Sequence, residues 1–471
     1  MFSALRKCSD KIPARLVVAI MCFFACWCTY MLRLNLSVAI IAMVKPLPGK
    51  ESKGNGDFGP RYDWGEKIQG DVLAAFSYGY FLTQFPGGII AEYFGSRLVV
   101  FVSLVVMSVF TILTPFSADI HWGVVIAARV IIGLGGGAVY PALHCLIARW
   151  APPEEKGRFI WSLLGGTFGT VISFPVSGVL VEEWGWRESF YVFGGVVLFF
   201  SIFWIWLIRD SPDKHPRISE KELTYIEERI GTNVERNEGA KTRSKLPILR
   251  IMTSLPFLAL LLCHYGNLWG LFFLLTLAPK FMSDILDFDL KKSGGLSSLP
   301  YLARVGFGFV FSAVGDYMVK NETFSRTTIR KIFVVFSHLA SGALMFLIGY
   351  MDEYLWLTVL MMTLSLGMNG AATVSNLTNH HDLAPNFAGS LYGIMNGIGV
   401  TSGFIAPMIS GRILEKNNGL YEWRILFIIG ALFYIITGVI FIIFGSGNIQ
   451  SWNTPKATAE DSQPEEQGAE D

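Results

Sequence analysis

Residues 127–150 read AARVIIGLGGGAVYPALHCLIARW. The stretch is long and apolar enough to cross a bilayer, which takes roughly 20 residues of α-helix. Yet it carries Arg129 and four glycines in its middle. An arginine near a bilayer centre costs about 2.5–3.5 kcal/mol even on the lenient insertion scale, so a chain that keeps one turns it toward a partner, a cavity or an anionic solute. At about 100° per residue, Arg129, Gly133, Gly136 and Tyr140 fall on one helical stripe, with His144 at its margin. One charge, two bare backbone positions and two polar rings predict the wall of a solute site.

Composition agrees with a membrane setting. Of 471 residues, 52% are hydrophobic and 16% charged, and the apolar residues collect in runs of spanning length. The net charge of +1 offers no field for a nucleic-acid partner. The partners expected are the lipid bilayer and a small anionic solute, with a single chain sufficient as the working unit. Six cysteines form no disulfide or metal pattern; five lie in apolar helices and read as small packing groups. The first apolar segment, Leu16 to Met43, is too long for a cleavable signal and is expected to remain as the first span.

Twelve candidate spans follow, beginning near Leu16, Asp71, Leu98, Trp122, Gly157, Glu188, Leu255, Gly294, Lys331, Tyr354, Asn386 and Trp423. The fold class expected is therefore an all-α membrane protein of two six-helix repeats. Its parts would be an N-tail (1–15), an N-terminal bundle (16–208), a polar linker (209–250), a C-terminal bundle (251–446) and an acidic, disordered tail (447–471). In the linker, Ser219 followed by Glu222 fits a capping box and predicts a surface helix. With both termini on the cytoplasmic side, the tails and inner loops hold 23 Lys and Arg against 12 in the opposite loops. That excess favours cytoplasmic termini.

The halves echo each other. Trp186-Arg187-x-x-Phe190 answers Trp423-Arg424-x-x-Phe427, and Pro175-x-Ser177-Gly178 answers Pro407-x-x-Ser410-Gly411. Ala151-Pro152 answers Ala384-Pro385, and Ala91-Glu92-Tyr93 answers Gly315-Asp316-Tyr317. The four pairs keep one order at offsets of about 224 to 237 residues, the plan of a parallel six-plus-six transporter. Pro86 to Arg97, PGGIIAEYFGSR, resembles the signature between the second and third spans of the major facilitator superfamily. Its Glu92 and Arg97 are expected to form a charge latch, repeated by Asp316 with Arg330.

Arg33 lies inside the first span on a face shared with Cys26, Tyr30 and Ser37. Arg33 and Arg129 are expected to converge on an anion, because a guanidinium offers a fixed fork of donors to carboxylate or phosphate. Arg304, in LPYLAR, is open between an interior and an interfacial place. Few acids are available as proton carriers: Asp71 and Asp382 at span ends, with His144, His264, His380 and His381 as the other titratable candidates. Enzyme signatures fail. Gly133-x-Gly135-Gly136-Gly137 lacks the strand and lysine of a phosphate loop, and no HExxH, zinc spacing or serine elbow occurs. No cofactor is expected.

At these residues the chain resembles the seventeenth solute-carrier family of anion transporters, the group of sialin, the vesicular glutamate transporters and the type I sodium–phosphate cotransporters. The resemblance covers about residues 16–455. It rests on Arg33-x-Asn35-Leu36-Ser37-Val38-Ala39, Tyr80-x-x-Thr83-Gln84-x-Pro86-Gly87-Gly88 and Arg129-x-x-x-Gly133-Leu134. Tyr140-Pro141-Ala142-x-His144, Trp150-Ala151-Pro152-Pro153, Leu296 to Leu302 (LSSLPYL) and Asn379-His380-x-Asp382-x-Ala384-Pro385 extend it. The LSSLPYL wording is closer to sialin and to insect phosphate cotransporters than to the glutamate branch. The resemblance implies alternating-access transport of an organic or inorganic anion coupled to sodium or protons. Arg33 and Arg129 would be substrate contacts, and Tyr140, His144, Asn267 and Asn379 would shape the cavity. Gly136 stands where proton-coupled relatives carry a glutamate, and Asn267 where the glutamate branch carries an arginine. A sensor built on a transporter fold and an uncoupled anion carrier are the alternatives, in a plasma or an endolysosomal membrane.

Overall fold

A computed structural model describes residues 13–45, 58–152, 159, 162–238, 247–351 and 354–453. The regular secondary structure of the described residues is helical, with one isolated bridge between Val44 and Tyr62. In the N-terminal half, α1 is Ala14–Met43, α2 Glu66–Gln84, α3 Pro86–Phe94, α4 Ser96–Ile120, α5 Trp122–Trp150, α6 Gly165–Trp184 and α7 Trp186–Leu207. The linker contributes α8, Glu220–Glu238. In the C-terminal half, α9 is Leu255–Asp284, α10 Leu290–Lys320, α11 Arg326–Ile348, α12 Leu355–Thr373, α13 Ala388–Leu414 and α14 Leu420–Phe444.

Among the described residues helices stand at or near the twelve expected positions, and ten have the length and apolarity of a span. The second and fifth positions fall short of that measure. The second is broken where Pro86 interrupts the helix after Gln84, and it opens with Glu66, Lys67 and Asp71. At the fifth, the helix is Gly165–Trp184, and residues 153–158 and 160–161 before it lie outside the described residues. Of the N-tail expected at 1–15, residues 1–12 lie outside the described residues, as does the acidic tail beyond Asn453, and Ala14 and Arg15 already belong to α1. Residues 447–453 are packed: Gly447 donates to Thr327 Oγ1 at 2.8 Å, Gln450 to the Leu383 carbonyl at 2.9 Å, and Trp452 is buried.

Side chains written into the sequence satisfy the helix starts. Ser219 accepts from the Glu222 amide at 3.3 Å, the first half of the expected capping box. The Glu222 carboxylate, however, accepts the amides of Ala14 and Arg15 at 3.0 and 3.1 Å, so it caps α1 and ties the linker to the start of the chain. Asp289 caps α10 and Ser325 caps α11 in the ordinary way. The repeated tryptophans do repeat in space. Trp186 and Trp423 are fully buried at the starts of α7 and α14, one donating to the Pro60 carbonyl at 3.0 Å and the other to Asn418 Oδ1 at 2.8 Å.

The glycine run of α5 serves packing. A Cβ on Gly133 would meet the Phe76 carbonyl and one on Gly137 the Tyr80 carbonyl, while Gly135 faces Ser103 and Met107 of α4. Gly136 faces Phe76 and Met107. The spacing of Gly133 and Gly137 is the small-xxx-small pattern that brings helix backbones together. The expected solute wall at Gly133 and Gly136 is thus a helix–helix seam.

Between the halves the contact is graded. Call the end that carries Ala14, the linker and Asn453 the termini end, and the other the loop end. At the loop end a Cβ on Gly411 would lie 3.1 Å from Gly70 Cα, and one on Gly294 would lie 3.1 Å from Gly178 Cα. Midway, the Tyr78 and Phe404 rings of α2 and α13 stand 4.8 Å apart. Toward the termini end Gly389, Gly393 and Gly397 of α13 have nothing within 4 Å of a Cβ. The halves close at the loop end and part at the termini end.

Candidate functional site

Midway along the bundle, α1 presents Arg33 toward the interface of the halves. The side chain is buried, and its guanidinium lies over Phe272 (4.6 Å), Phe76 (5.0 Å), Tyr80 (5.6 Å) and Tyr30 (5.8 Å). Phe272 comes from α9, so both halves contribute to this cage. None of the ion pairs among the described residues joins Arg33 to a carboxylate. Aromatic faces attract a guanidinium without neutralising it. The result is a cation held in place with its charge unspent.

Arg129 is near Arg33 but differently employed. Its Nη1 donates to the Leu32 carbonyl at 3.3 Å and its Nη2 to the Arg33 carbonyl at 2.9 Å, with Phe76 at 5.3 Å from its centre. Only Nε, fully buried, is left without a partner. The two guanidiniums do converge, as the sequence suggests, but Arg129 clamps the backbone of α1 while Arg33 keeps its donors.

Tyr140 belongs to the same wall. Its ring meets Tyr30 edge-on at 6.3 Å, and its hydroxyl lies at Gly166 of α6. His144, one turn further along α5 toward the termini end, is exposed. Asn267 is buried on α9, and neither atom of its amide has a partner. Asn379 is not in the cavity. Its amide donates to Asp382 Oδ2 at 3.3 Å and to the Ser446 carbonyl at 2.9 Å, within the termini-end cluster.

The expected latches have other partners. Gly95, at φ +88°, turns the chain so that Glu92 is exposed on α3 while Arg97 opens α4 against α7. Arg97 Nε donates to the Ile205 carbonyl at 3.1 Å, and its amide donates to Asp210 Oδ1 at 2.8 Å. In the second half Arg330 donates to Asp382 from Nε at 2.7 Å and from Nη2 at 3.3 Å, and Asp316 is exposed. Asp210 and Asp382 take the places assigned to Glu92 and Asp316, because each lies across a helix boundary that sequence distance hides.

One group escaped the sequence reading, and another was left open by it. Lys280 of α9, buried, is held by Asp284 at 2.9 Å, Glu66 at 3.1 Å and Gln69 Oε1 at 2.8 Å. Asn418 bridges Glu66 and Asp284 at 2.8 Å each. This network joins the two halves at the loop end. Arg304 of α10 is interior: its Nε donates to Asn369 Oδ1 at 3.1 Å, and it lies within electrostatic reach of Tyr434, Tyr301, Tyr30 and Tyr392.

Known proteins place this arrangement. The Major Facilitator Superfamily model matches residues 18–407. A Drosophila melanogaster "Putative inorganic phosphate cotransporter" is 36% identical over 94% of this chain and 87% of its own. Human sialin is 33% identical over 93% and 90%, and human vesicular glutamate transporter 2 is 32% identical over 96% and 77%. Among solved structures, a bacterial homologue of the human lysosomal transporter Spinster, inward-facing and occupied, superposes with a TM-score of 0.67 at 13% identity, covering 92% of this chain and 97% of that one. The D-xylose–proton symporter gives 0.62 at 14% identity, over 90% and 98%. At such identities the structures attest to the fold alone. A graded interface around a buried, unneutralised arginine, in a chain so matched along its length, makes this a multi-pass transporter of the Major Facilitator Superfamily, in the group that contains sialin and the vesicular glutamate transporters.

Proposed function

We propose that the chain is a secondary transporter that carries a small organic or inorganic anion, phosphate-, carboxylate- or sialate-like, by alternating access. The observation that carries the reading is Arg33: a buried guanidinium caged by rings from both halves with no carboxylate beside it. A buried charge left unpaired is costly, and an anionic solute is the group that offsets it. Arg129 fixes the segment of α1 that aims Arg33, and Tyr30, Tyr80 and Tyr140 line the pocket. With the basic excess at the termini end, that end faces the cytoplasm, and the state described is open to the cytoplasm.

The names of the relatives support a phosphate, sialate or glutamate-like solute. The membrane is the plasma membrane or an endolysosomal or vesicular one. Sodium and protons both remain as coupling ions. Both halves that line the site belong to one chain, so one chain suffices. The test is uptake into vesicles reconstituted with the purified chain, screening phosphate, urate, sialate and acidic amino acids under separate sodium and proton gradients. Saturable uptake of at least one anion, abolished by Arg33→Gln, is expected. Anion binding without flux would mark a sensor, and normal uptake by the variant would remove Arg33 from the site.

A further inference from the structure

The C-terminal half has a cation of its own. Arg304 stands one turn beyond Tyr301 on α10, on the face opposite the exposed Leu302, Phe309 and Val310. Its Nε is fixed by Asn369, which is fixed in turn by donating to the Ser337 carbonyl at 3.1 Å. No carboxylate among the described residues pairs with it, and its two terminal nitrogens donate to no protein group there. Anchoring uses one of the five donors of a guanidinium.

The surroundings point the same way. The Tyr301 hydroxyl donates to the Leu271 carbonyl at 3.1 Å, and the Tyr434 hydroxyl lies against Gly270, so both converge on one turn of α9. Asn267, on that turn, is 1% exposed with both amide atoms unpartnered, and the hydroxyl of Tyr434, also 1% exposed, has no partner. A buried polar atom without a hydrogen bond costs about 1–3 kcal/mol, so a cluster of them beside an unpaired guanidinium fits a polar ligand. Leu271, whose carbonyl Tyr301 bonds, is followed by Phe272, the ring that lies 4.6 Å from the Arg33 guanidinium. Arg33 of α1 and Arg304, one turn beyond Tyr301, thus approach the same turn of α9, and neither has a carboxylate partner among the described residues.

We propose that Arg304 contacts the solute from the C-terminal half and selects for a second negative charge, so that the cognate solute is a dianion bridging Arg33 and Arg304, with Asn267 and Tyr434 supplying neutral hydrogen bonds. This rests on the anion-transport reading above and adds the charge and the placement of the solute. Dicarboxylates and phosphate share the required chemistry, and a monocarboxylate leaves one arginine unmatched. An arginine-for-anion contact is charge-assisted and strong enough that its loss weakens binding about tenfold or more.

The test measures equilibrium binding to the purified full chain in detergent, by ligand-induced thermal shift at a pH near 8. The probes are inorganic phosphate and glutarate as dianions, and sialate and butyrate as monoanions. Arg304→Gln retains a donor for Asn369, and Arg304→Lys retains the charge; the unliganded melting temperature reports that each is folded. The expectation is tighter wild-type binding of a dianion, weakened tenfold or more by Arg304→Gln and partly restored by Arg304→Lys, with monoanions changed less than twofold. A merely structural role would not separate the two classes. A wild-type preference for monoanions, equal loss for both classes, or no loss overturns the assignment while leaving anion transport standing. If the wild type binds none of the four and takes up no anion in the vesicle screen, the transport reading itself fails.

Discussion

Arg129 holds the backbone of Arg33. Its Nη2 donates to the Arg33 carbonyl at 2.9 Å and its Nη1 to the preceding carbonyl of Leu32 at 3.3 Å. Arg33 makes ring contacts and no such bonds. The two positions are therefore expected to fail differently. Hydrogen bonds from charged groups contribute about 1.5–3 kcal/mol each, so Arg129→Ala should lose about 3 kcal/mol of stability together with uptake. Arg33→Gln should lose uptake with a melting temperature close to the wild type. Melting of the two purified variants beside vesicle uptake checks this, and a matched fall in stability would erase the division of roles.

Lys280 pairs with both Glu66 and Asp284 at the loop end, at 3.1 and 2.9 Å. Removing one partner of a buried ion cluster costs about 3–5 kcal/mol, because the remaining charges lose their compensation. Lys280→Ala should therefore loosen the loop-end seam. Spin labels at the exposed positions Lys67 and Glu415, one on each half, should report a longer distance in the variant than in its parent. An unchanged distance distribution would mean that the glycine contacts and the Arg412–Asp71 and Lys291–Glu183 pairs close this end without Lys280.

Gly95 has φ +88°, and a Cβ there would lie 2.6 Å from the nearer oxygen of Asp210. Left-handed backbone costs an L-residue about 1–2 kcal/mol, and the displaced carboxylate would release the Arg97 amide. Gly95→Ala is expected to lower stability by about 2 kcal/mol, while Glu92→Gln should leave it within about 0.5 kcal/mol, as for an exposed side chain away from special features. Thermal unfolding of both variants decides which carboxylate the turn depends on.

The linker gives a pH dependence. His215 packs edge-on to Trp150 at 5.5 Å and bonds through Nε2 to the Leu207 carbonyl at 3.2 Å. Burial pushes its pKa below the ordinary imidazole value; Arg209 and Arg217 act in the same direction, against the Leu207 bond and Glu222. The folded protein thus binds this proton less readily than the unfolded chain. As pH falls below about 6.5, the unfolded state takes up more protons and stability declines. The wild type should lose melting temperature from pH 7.5 to 5.5 more steeply than His215→Gln, and parallel curves would contradict the assignment.

The fold was legible wherever the signal is local. Pro86 to Arg97 and the paired Trp-Arg-x-x-Phe openings are short strings whose geometry is set by their own turns, and Trp186 and Trp423 occupy equivalent places. Helix phase against a neighbour is not local, which is why Arg304 stayed undecided and why Gly133 and Gly136 were read as a cavity wall. The seam could have been found from the four-residue spacing of Gly133 and Gly137. Lys280 could have been found from its partner one turn on, Asp284, but its pairing with Glu66 spans 214 positions of chain. The latch carboxylates went astray for a similar reason: Asp382 reaches Arg330 across 52 residues. Arg33 was legible because a charge inside an apolar run needs a cause wherever it sits.

At Gly70 with Gly411, and Gly178 with Gly294, the two halves touch through bare main chain. Surfaces of this kind carry no rotamers to lose when they meet and none to re-sort when they part. Docking and undocking there become a matter of sliding two smooth faces together, and the direction of the equilibrium can be tipped by a single ionic cluster and by whatever occupies the chamber. A rocking machine gains from hinges that fit without interlocking.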